Sequence, residues 1–117
     1  MASATYVLKQ PIPAILVTDI ERSQAFYATH FGFHSAWNHE GYGGMERDGM
    51  HIHFMQKAEV NPIFVYNQVT GVDDLYASLV AEGVKIVATL KDHDYGMREF
   101  TALDPDGNFI AFGQTLG

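Results

Sequence analysis

Residues 48–56, Asp48-Gly49-Met50-His51-Ile52-His53-Phe54-Met55-Gln56, align without a gap on residues 106–114, Asp106-Gly107-Asn108-Phe109-Ile110-Ala111-Phe112-Gly113-Gln114. Asp, Gly, Ile, Phe and Gln all fall 58 residues apart (107 − 49 = 58). Upstream, Val17-Thr18-Asp19-Ile20-Glu21 matches Val69-Thr70-Gly71-Val72-Asp73 at a spacing of 52, and Gly32-Phe33 then matches Gly83-Val84. Two blocks in the same order in each half indicate a tandem duplication. Only two copies fit, so the chain is an internally doubled domain and not a solenoid.

Each half spells the same order of elements. In the first, residues 12–17 read as a strand placed at a sheet edge, because Pro11 and Pro13 have no N–H to give to a ladder. Asp19 is a helix cap, Ile20, Phe26, Tyr27 and Phe31 supply an apolar side, and Gly32 is the stop. Residues 33–39, 42–47 and 50–56 follow as strands, the last two joined by an Asp48-Gly49 hairpin turn. In the second half, residues 63–69 read as a strand. Val72, Leu75, Tyr76, Leu79 and Val80 stand at i, i+3, i+4, i+7 and i+8 of a helix that Gly83 ends. Strands follow at 84–90 and 100–103, then at 109–112 after the turn-forming run Asp104-Pro105-Asp106-Gly107-Asn108. The polar stretch 57–62 divides one domain, residues 1–117, into module 1 (about 1–58) and module 2 (about 59–117), each βαβββ.

Composition removes several classes of function. The chain has no cysteine, so disulfides, thiol nucleophiles and thiolate metal sites are excluded. Seven Lys and Arg against 14 Asp and Glu give a net charge of −7 with no basic run, a poor surface for nucleic acid and one whose field favours a cationic ligand. No apolar run reaches membrane-spanning length and the first residues lack the pattern of a signal peptide, so a cytoplasmic location without membrane association is expected. Gly41-Tyr42-Gly43-Gly44 lacks the Lys-Ser/Thr of a phosphate loop and opens no helix. It reads as a bend or a close approach of backbone. No Ser-His-Asp set or catalytic carboxylate pair is legible, and no catalytic residue is assigned.

The segments Val17 to Tyr27, Phe31-Gly32-Phe33, Gly71-Val72-Asp73-Asp74-Leu75-Tyr76 and Tyr95-Gly96-Met97-Arg98-Glu99-Phe100 through Gly107-Asn108 resemble the glyoxalase/bleomycin resistance/dioxygenase, or vicinal oxygen chelate, superfamily. They are most similar to its bleomycin resistance branch. The resemblance implies an α+β fold of two cupped mixed sheets, helices on the convex faces and a cavity on the concave ones. In enzymes of the superfamily two strand positions per module hold a divalent metal. The repeat places these at Ile12 and Phe64 and at His53 and Ala111, of which only His53 can ligate. His51 lies on the same strand face as His53, with no acid legible beside the pair. No metal and no cofactor is therefore expected, and the two histidines are read as cavity wall.

Trp37, Tyr42, Phe64, Tyr66 and Tyr95 are the aromatics expected in or around the cavity, where they would stack on flat ligands or attract cations. With His51, His53 and Arg98 they complete the expected ligand-binding set. Arg98-Glu99 either orients a ligand or pairs across a sheet edge. Phe26, Tyr27, Phe54 and Phe112 are expected under the helices. Two functions lead, and an antibiotic-modifying enzyme that uses a cofactor thiol stays open as a third. One is a non-catalytic protein that sequesters an aromatic or cationic molecule, bleomycin-like among the candidates, in a cavity at a homodimer interface. The alternative is a metal-dependent lyase, isomerase or dioxygenase of the same superfamily.

Overall fold

The computed structural model describes residues 5–117. Its elements run β1 (Ala14–Val17), α1 (Ile20–Phe31), β2 (His34–His39), β3 (Tyr42–Arg47), β4 (Met50–Gln56), β5 (Phe64–Gln68), α2 (Val72–Ala81), β6 (Ile86–Asp92), β7 (Met97–Leu103) and β8 (Phe109–Thr115). They form two four-stranded sheets of identical order, β1-β4-β3-β2 and β5-β8-β7-β6. In each sheet the first strand lies parallel to the last and the other pairs are antiparallel. The doubled βαβββ architecture read from the 58-residue repeat is thus the observed one.

The repeat extends to side-chain bonds. Gln56 Oε1 accepts the first helical N–H of α1, at Ile20, and Gln114 Oε1 accepts that of α2, at Val72, each at 2.9 Å. The shared glutamine therefore satisfies an orphan donor at the start of each helix. Asp19 caps α1 through Arg22 N and Gly32 closes it in the left-handed conformation. In α2, Val72 and Leu79 are buried and Leu75 and Tyr76 pack against the core. Val80, at the margin of that stripe, is instead 51% exposed.

Strand ends differ from the sequence reading at both proline-flanked and bulged sites. Pairing in β1 begins at Ala14 and not at Ile12, with the Pro13 carbonyl accepting His53 N. β7 begins at Met97, three residues before Phe100. In β2 a register shift between His34 and Trp37 accompanies a positive φ of 56° at Ser35, a bulge that re-aims the following side chains.

The β3–β4 turn has both central residues left-handed, Asp48 at 52° and Gly49 at 79°, which suits a two-residue hairpin. Its counterpart in module 2 is one residue longer, with Asp104 N donating to Asn108 O across Pro105-Asp106-Gly107. These residues do more than turn the chain. The buried Asp104 carboxylate accepts from Tyr27 Oη at 2.8 Å, from the N–H groups of Asp106 and Asn108, and from Asn108 Nδ2. Asn108, fully buried, also donates to Leu16 O and accepts from Ile63 N. Asp106 accepts from Thr18 and Arg22. The loop of module 2 is therefore bolted to β1 and α1 of module 1.

Rings continue the join. Phe54 meets Tyr27 (5.0 Å between centroids), Tyr27 meets Phe31 (5.2 Å), Phe31 meets Phe112 (5.2 Å), Phe112 meets Phe100 (5.3 Å) and Phe100 meets Tyr76 (5.0 Å). These rings run through one cluster of buried residues drawn from both modules. Phe26, expected with them, packs at its edge. Burial of Ile15, Val17, Met45, Ile52, Phe54, Phe100, Ala102, Ile110 and Phe112 fixes which face of each strand meets the helices. The alternate residues face away from them.

Candidate functional site

Strand register lays the open faces out in rows. Across sheet 1 one row reads Ala14, His53, Gly44, Trp37, and the corresponding row of sheet 2 reads Tyr66, Ala111, Thr101, Ala88. The adjacent rows read Leu16, Met55, Tyr42, His39 and Gln68, Gly113, Glu99, Lys91. The two halves are complementary in bulk. Sheet 1 carries its large ring on β2 with alanine on the opposite edge, and sheet 2 carries its large ring on β5 with alanine on the opposite edge.

Both rings lie down across a neighbouring glycine. A Cβ on Gly44 would stand 2.8 Å from Trp37 Nε1, and one on Gly113 would stand 1.9 Å from Tyr66 Oη. The side chains occupy the space that a Cβ would fill, and both rings remain partly open to solvent, Trp37 by 46% and Tyr66 by 40%. Gly43 meets the Trp37 carbonyl in the same way, which is the close approach expected of this glycine-rich run.

In sheet 1 the Tyr42 hydroxyl and His53 Nδ1 are 2.7 Å apart, and the Trp37 ring stands edge-on to His53 at 5.4 Å and tilted to Tyr42 at 6.0 Å. In sheet 2 the hub is Glu99. Tyr66 Oη, reaching over Gly113, donates to Glu99 Oε2 at 2.6 Å, and Tyr95 Oη donates to Oε1. His93 Nε2 stands 3.7 Å from Oε1 and its ring stacks on Tyr95, while Phe64 lies nearly parallel to Tyr66.

Burial pushes the Glu99 carboxyl up, but the hydrogen bonds from Tyr66 and Tyr95, helped by His93, outweigh it and hold the group below the usual carboxylate range. The phenols move the other way. Burial and the bond to Glu99 push Tyr66 up to about 12, and the bond to Glu99 with some burial pushes Tyr95 up to about 12. A raised phenol contributes stability that is present below the ordinary value near 10 and is lost as pH rises through about 12. The lowered carboxyl contributes stability that is present above its ordinary value near 4.5 and is lost as pH falls through its folded value. At neutral pH the cluster is one carboxylate held by two neutral phenols.

The structure thus brings Trp37, Tyr42 and His53 together in sheet 1 and Phe64, Tyr66 and Tyr95 together in sheet 2. His51 sits one row further along, opposite Glu46, with 3.8 Å between Nε2 and Oε2, so an acid does stand beside it. His51 and Tyr66 both line a groove of about 570 Å³ between the sheets. Arg98 stands apart. It lies on the opposite face of β7 from Glu99, where it binds Asp92 at 2.5 Å and Asp73 at 3.1 Å near the start of α2. A larger cleft of about 840 Å³ opens between the end of α1 and α2, and none of the eight residues expected at the site lines it. Glu99 is the residue that sequence reasoning left unresolved. Its signal was available in the alternation, because Arg98 and Ala102 share a strand face with the apolar Phe100, which leaves Glu99 and Thr101 on the opposite, open face.

The residues directly beside His53 and Ala111 on the first strands are Ala14 and Tyr66, and not Ile12 and Phe64. This donor set is one imidazole plus one phenol already given to Glu99, which does not fit a divalent metal needing about three protein ligands. Among the described residues no group of three His, Asp or Glu is placed to hold such an ion. No described helix is long and apolar enough to cross a membrane.

A family model described as Glyoxalase/Bleomycin resistance protein/Dioxygenase superfamily matches residues 9–112. A bleomycin resistance protein of Geobacillus stearothermophilus is 28% identical over 128 residues, covering 92% of this chain and 97% of that one, and one of Staphylococcus aureus matches equally. Among solved structures, TioX from Micromonospora sp. ML1 superposes with a TM-score of 0.79 at 19% identity, covering 92% of this chain and all of the other. A bleomycin resistance determinant encoded on the transposon Tn5 superposes with a TM-score of 0.80 at 18% identity, covering 92% and 98%. At those identities the likeness is one of fold.

Proposed function

The chain belongs to the glyoxalase/bleomycin resistance protein/dioxygenase superfamily, and from that premise we propose that it is a non-catalytic binding protein that sequesters a planar, cationic small molecule on the open faces of its sheets. The observation that carries this reading is the pair of partly exposed rings seated against glycine, Trp37 at Gly44 and Tyr66 at Gly113, with an ionised carboxylate hydrogen-bonded to the second. Flat rings with exposed faces suit stacking, and their quadrupole suits a cation. The net charge of −7 adds long-range attraction for such a ligand. The full-length similarity to bleomycin resistance proteins makes bleomycin-type glycopeptides the first molecules to try.

The test uses the only tryptophan, Trp37, as a reporter. Saturable quenching without conversion of the ligand is the expected result. Tyr95→Ala should weaken binding about tenfold, equivalent to about 1.4 kcal/mol for a lost ring face and a loosened Glu99. Affinity unchanged by this substitution would remove Tyr95 from the site, and appearance of a product would replace the binding role with an enzymatic one.

The binding unit in this reading is a homodimer that encloses the open faces. One chain measures 48 × 41 × 25 Å with a radius of gyration of 15.9 Å, against about 13 Å for a compact chain of this length. Trp37, Phe64, Tyr66, Tyr95 and Phe109 all stand at least 40% exposed, as do Tyr6, Val7 and Leu8 before β1. Apolar surface on this scale marks a contact or a ligand site. Sedimentation at micromolar concentration should give twice the chain mass, and a clean monomer would rule out a cavity shared between chains.

A further inference from the structure

We propose that Glu99, with Tyr66, Tyr95 and His93, forms an ammonium-selecting subsite in module 2, tuned for an N-alkylated cation over a primary one. This rests on the binding role given above and adds the chemistry of one end of the ligand. Glu99 is a largely covered carboxylate, its side chain 17% exposed. Among the described residues its only basic neighbour within 4 Å is His93, which has no fixed charge. Arg98, next in sequence, faces the other side and is taken up by Asp92 and Asp73. Lys91 is the cross-strand partner of Glu99 in register, yet makes no ion pair with it. The two phenol hydrogen bonds keep Glu99 ionised, and the charge they hold has no fixed counter-ion, so it is left for an incoming cation to meet.

The surroundings decide which cation fits. Each carboxylate oxygen already takes one phenol hydrogen bond, which removes acceptor sites that a primary ammonium or a guanidinium would use. A tertiary or quaternary ammonium needs few or no acceptors. It needs negative charge and ring faces, and here the half-exposed Tyr66 ring reaches the carboxylate through its hydroxyl, with the exposed Phe64 ring nearly parallel to it. The corresponding position in module 1 is Tyr42, beside His53 and without a carboxylate bond, so the cation is directed to one module only.

Three small molecules of matched shape test this by ligand-observed NMR on the full chain at neutral pH: choline, its uncharged isostere 3,3-dimethylbutanol, and ethanolamine as the primary ammonium. Choline should bind at least about tenfold more tightly than the isostere, and more tightly than ethanolamine. In Glu99→Gln the preference for choline over the isostere should fall to near one, while affinity for the isostere stays within about twofold. The double variant Tyr66→Phe with Tyr95→Phe keeps the rings and the carboxylate but returns acceptor sites, so it should shift the preference toward ethanolamine. A merely structural role for the phenols would not reorder the ligands. Equal binding of choline and its isostere, or a preference that survives in Glu99→Gln, overturns the subsite. If the three compounds fail to bind while flat ligands still quench Trp37, the subsite is overturned and the binding role stands. If the flat ligands also fail, both fall.

Discussion

Asp104→Ala should destabilise the fold by about 3–5 kcal/mol, a large part of the total of about 5–15 kcal/mol typical of such domains. The side chain receives four hydrogen bonds, from Tyr27 Oη, Asp106 N, Asn108 N and Asn108 Nδ2, in surroundings where Tyr27 and Asn108 are fully covered. Removing the acceptor leaves those donors without water, and each buried orphan costs about 1–3 kcal/mol. The loss is also one of connection, because Asp104 ties α1 of module 1 to the β7–β8 loop of module 2. Urea titration should show a lower midpoint with an unchanged slope, and Tm should drop by about 12–20 °C. Tyr27→Phe, which deletes one donor and keeps the ring against Phe54, should cost only about 1–2 kcal/mol. A loss under about 1 kcal/mol for Asp104→Ala would show that the Asp104 carboxylate contributes little to the join between the modules.

Gly113→Val is the substitution expected to hurt binding most while sparing the fold. The added side chain would enter the space held by Tyr66 Oη and Cζ and approach Met97 Cε, all far ends of flexible side chains. The strand accepts a β-branched residue, and the phenol ring gives way. Tyr66 then loses both its seat on the sheet and its bond to Glu99. Under the proposed role, ligand affinity should fall about thirtyfold or more, equivalent to about 2 kcal/mol, because a ring face is lost and the cavity is partly filled. An absorbance titration supplies a readout independent of any ligand. The Tyr66 phenol, pushed up to about 12 by burial and by its bond to Glu99, should return toward the ordinary value near 10 once the ring leaves its seat and the carboxylate no longer accepts from it. Unchanged phenol ionisation together with unchanged affinity would mean that the ring does not lie where the glycine admits it.

What could be read in advance depended on how local the cause was. The Asp19 cap, the Gly32 stop and the Asp48-Gly49 turn are decided within a few residues, and all three are found where the sequence puts them. The helix stripe of α2 was legible except at Val80, which sits at its margin. Asp104 and Asp106 were legible as turn residues but not as a bolt, because Tyr27 is 77 positions away and nothing near the loop announces it. The contrast between Arg98 and Glu99 turned on one step of register, where a single residue reverses the face. The seats of Trp37 and Tyr66 were hidden for a different reason. Each depends on a glycine on the adjacent strand, and on a bulge at Ser35 in the first case, so only paired strands reveal it.

The crossed arrangement of bulk, Trp37 with Ala14 in one sheet and Tyr66 with Ala88 in the other, has a consequence for how such a chain can change. After a duplication the two copies begin with interchangeable surfaces, and under the proposed binding role any molecule they held would have to offer the same thing at both ends. Here the halves share their helices, strand order and glutamine caps but no longer share a floor: one offers imidazole and indole beside a phenol, the other a carboxylate held by two phenols. Each half can drift toward a new chemical group without disturbing the grip of its twin. Under that role retargeting would proceed one end at a time, through intermediates that still hold half of the old molecule.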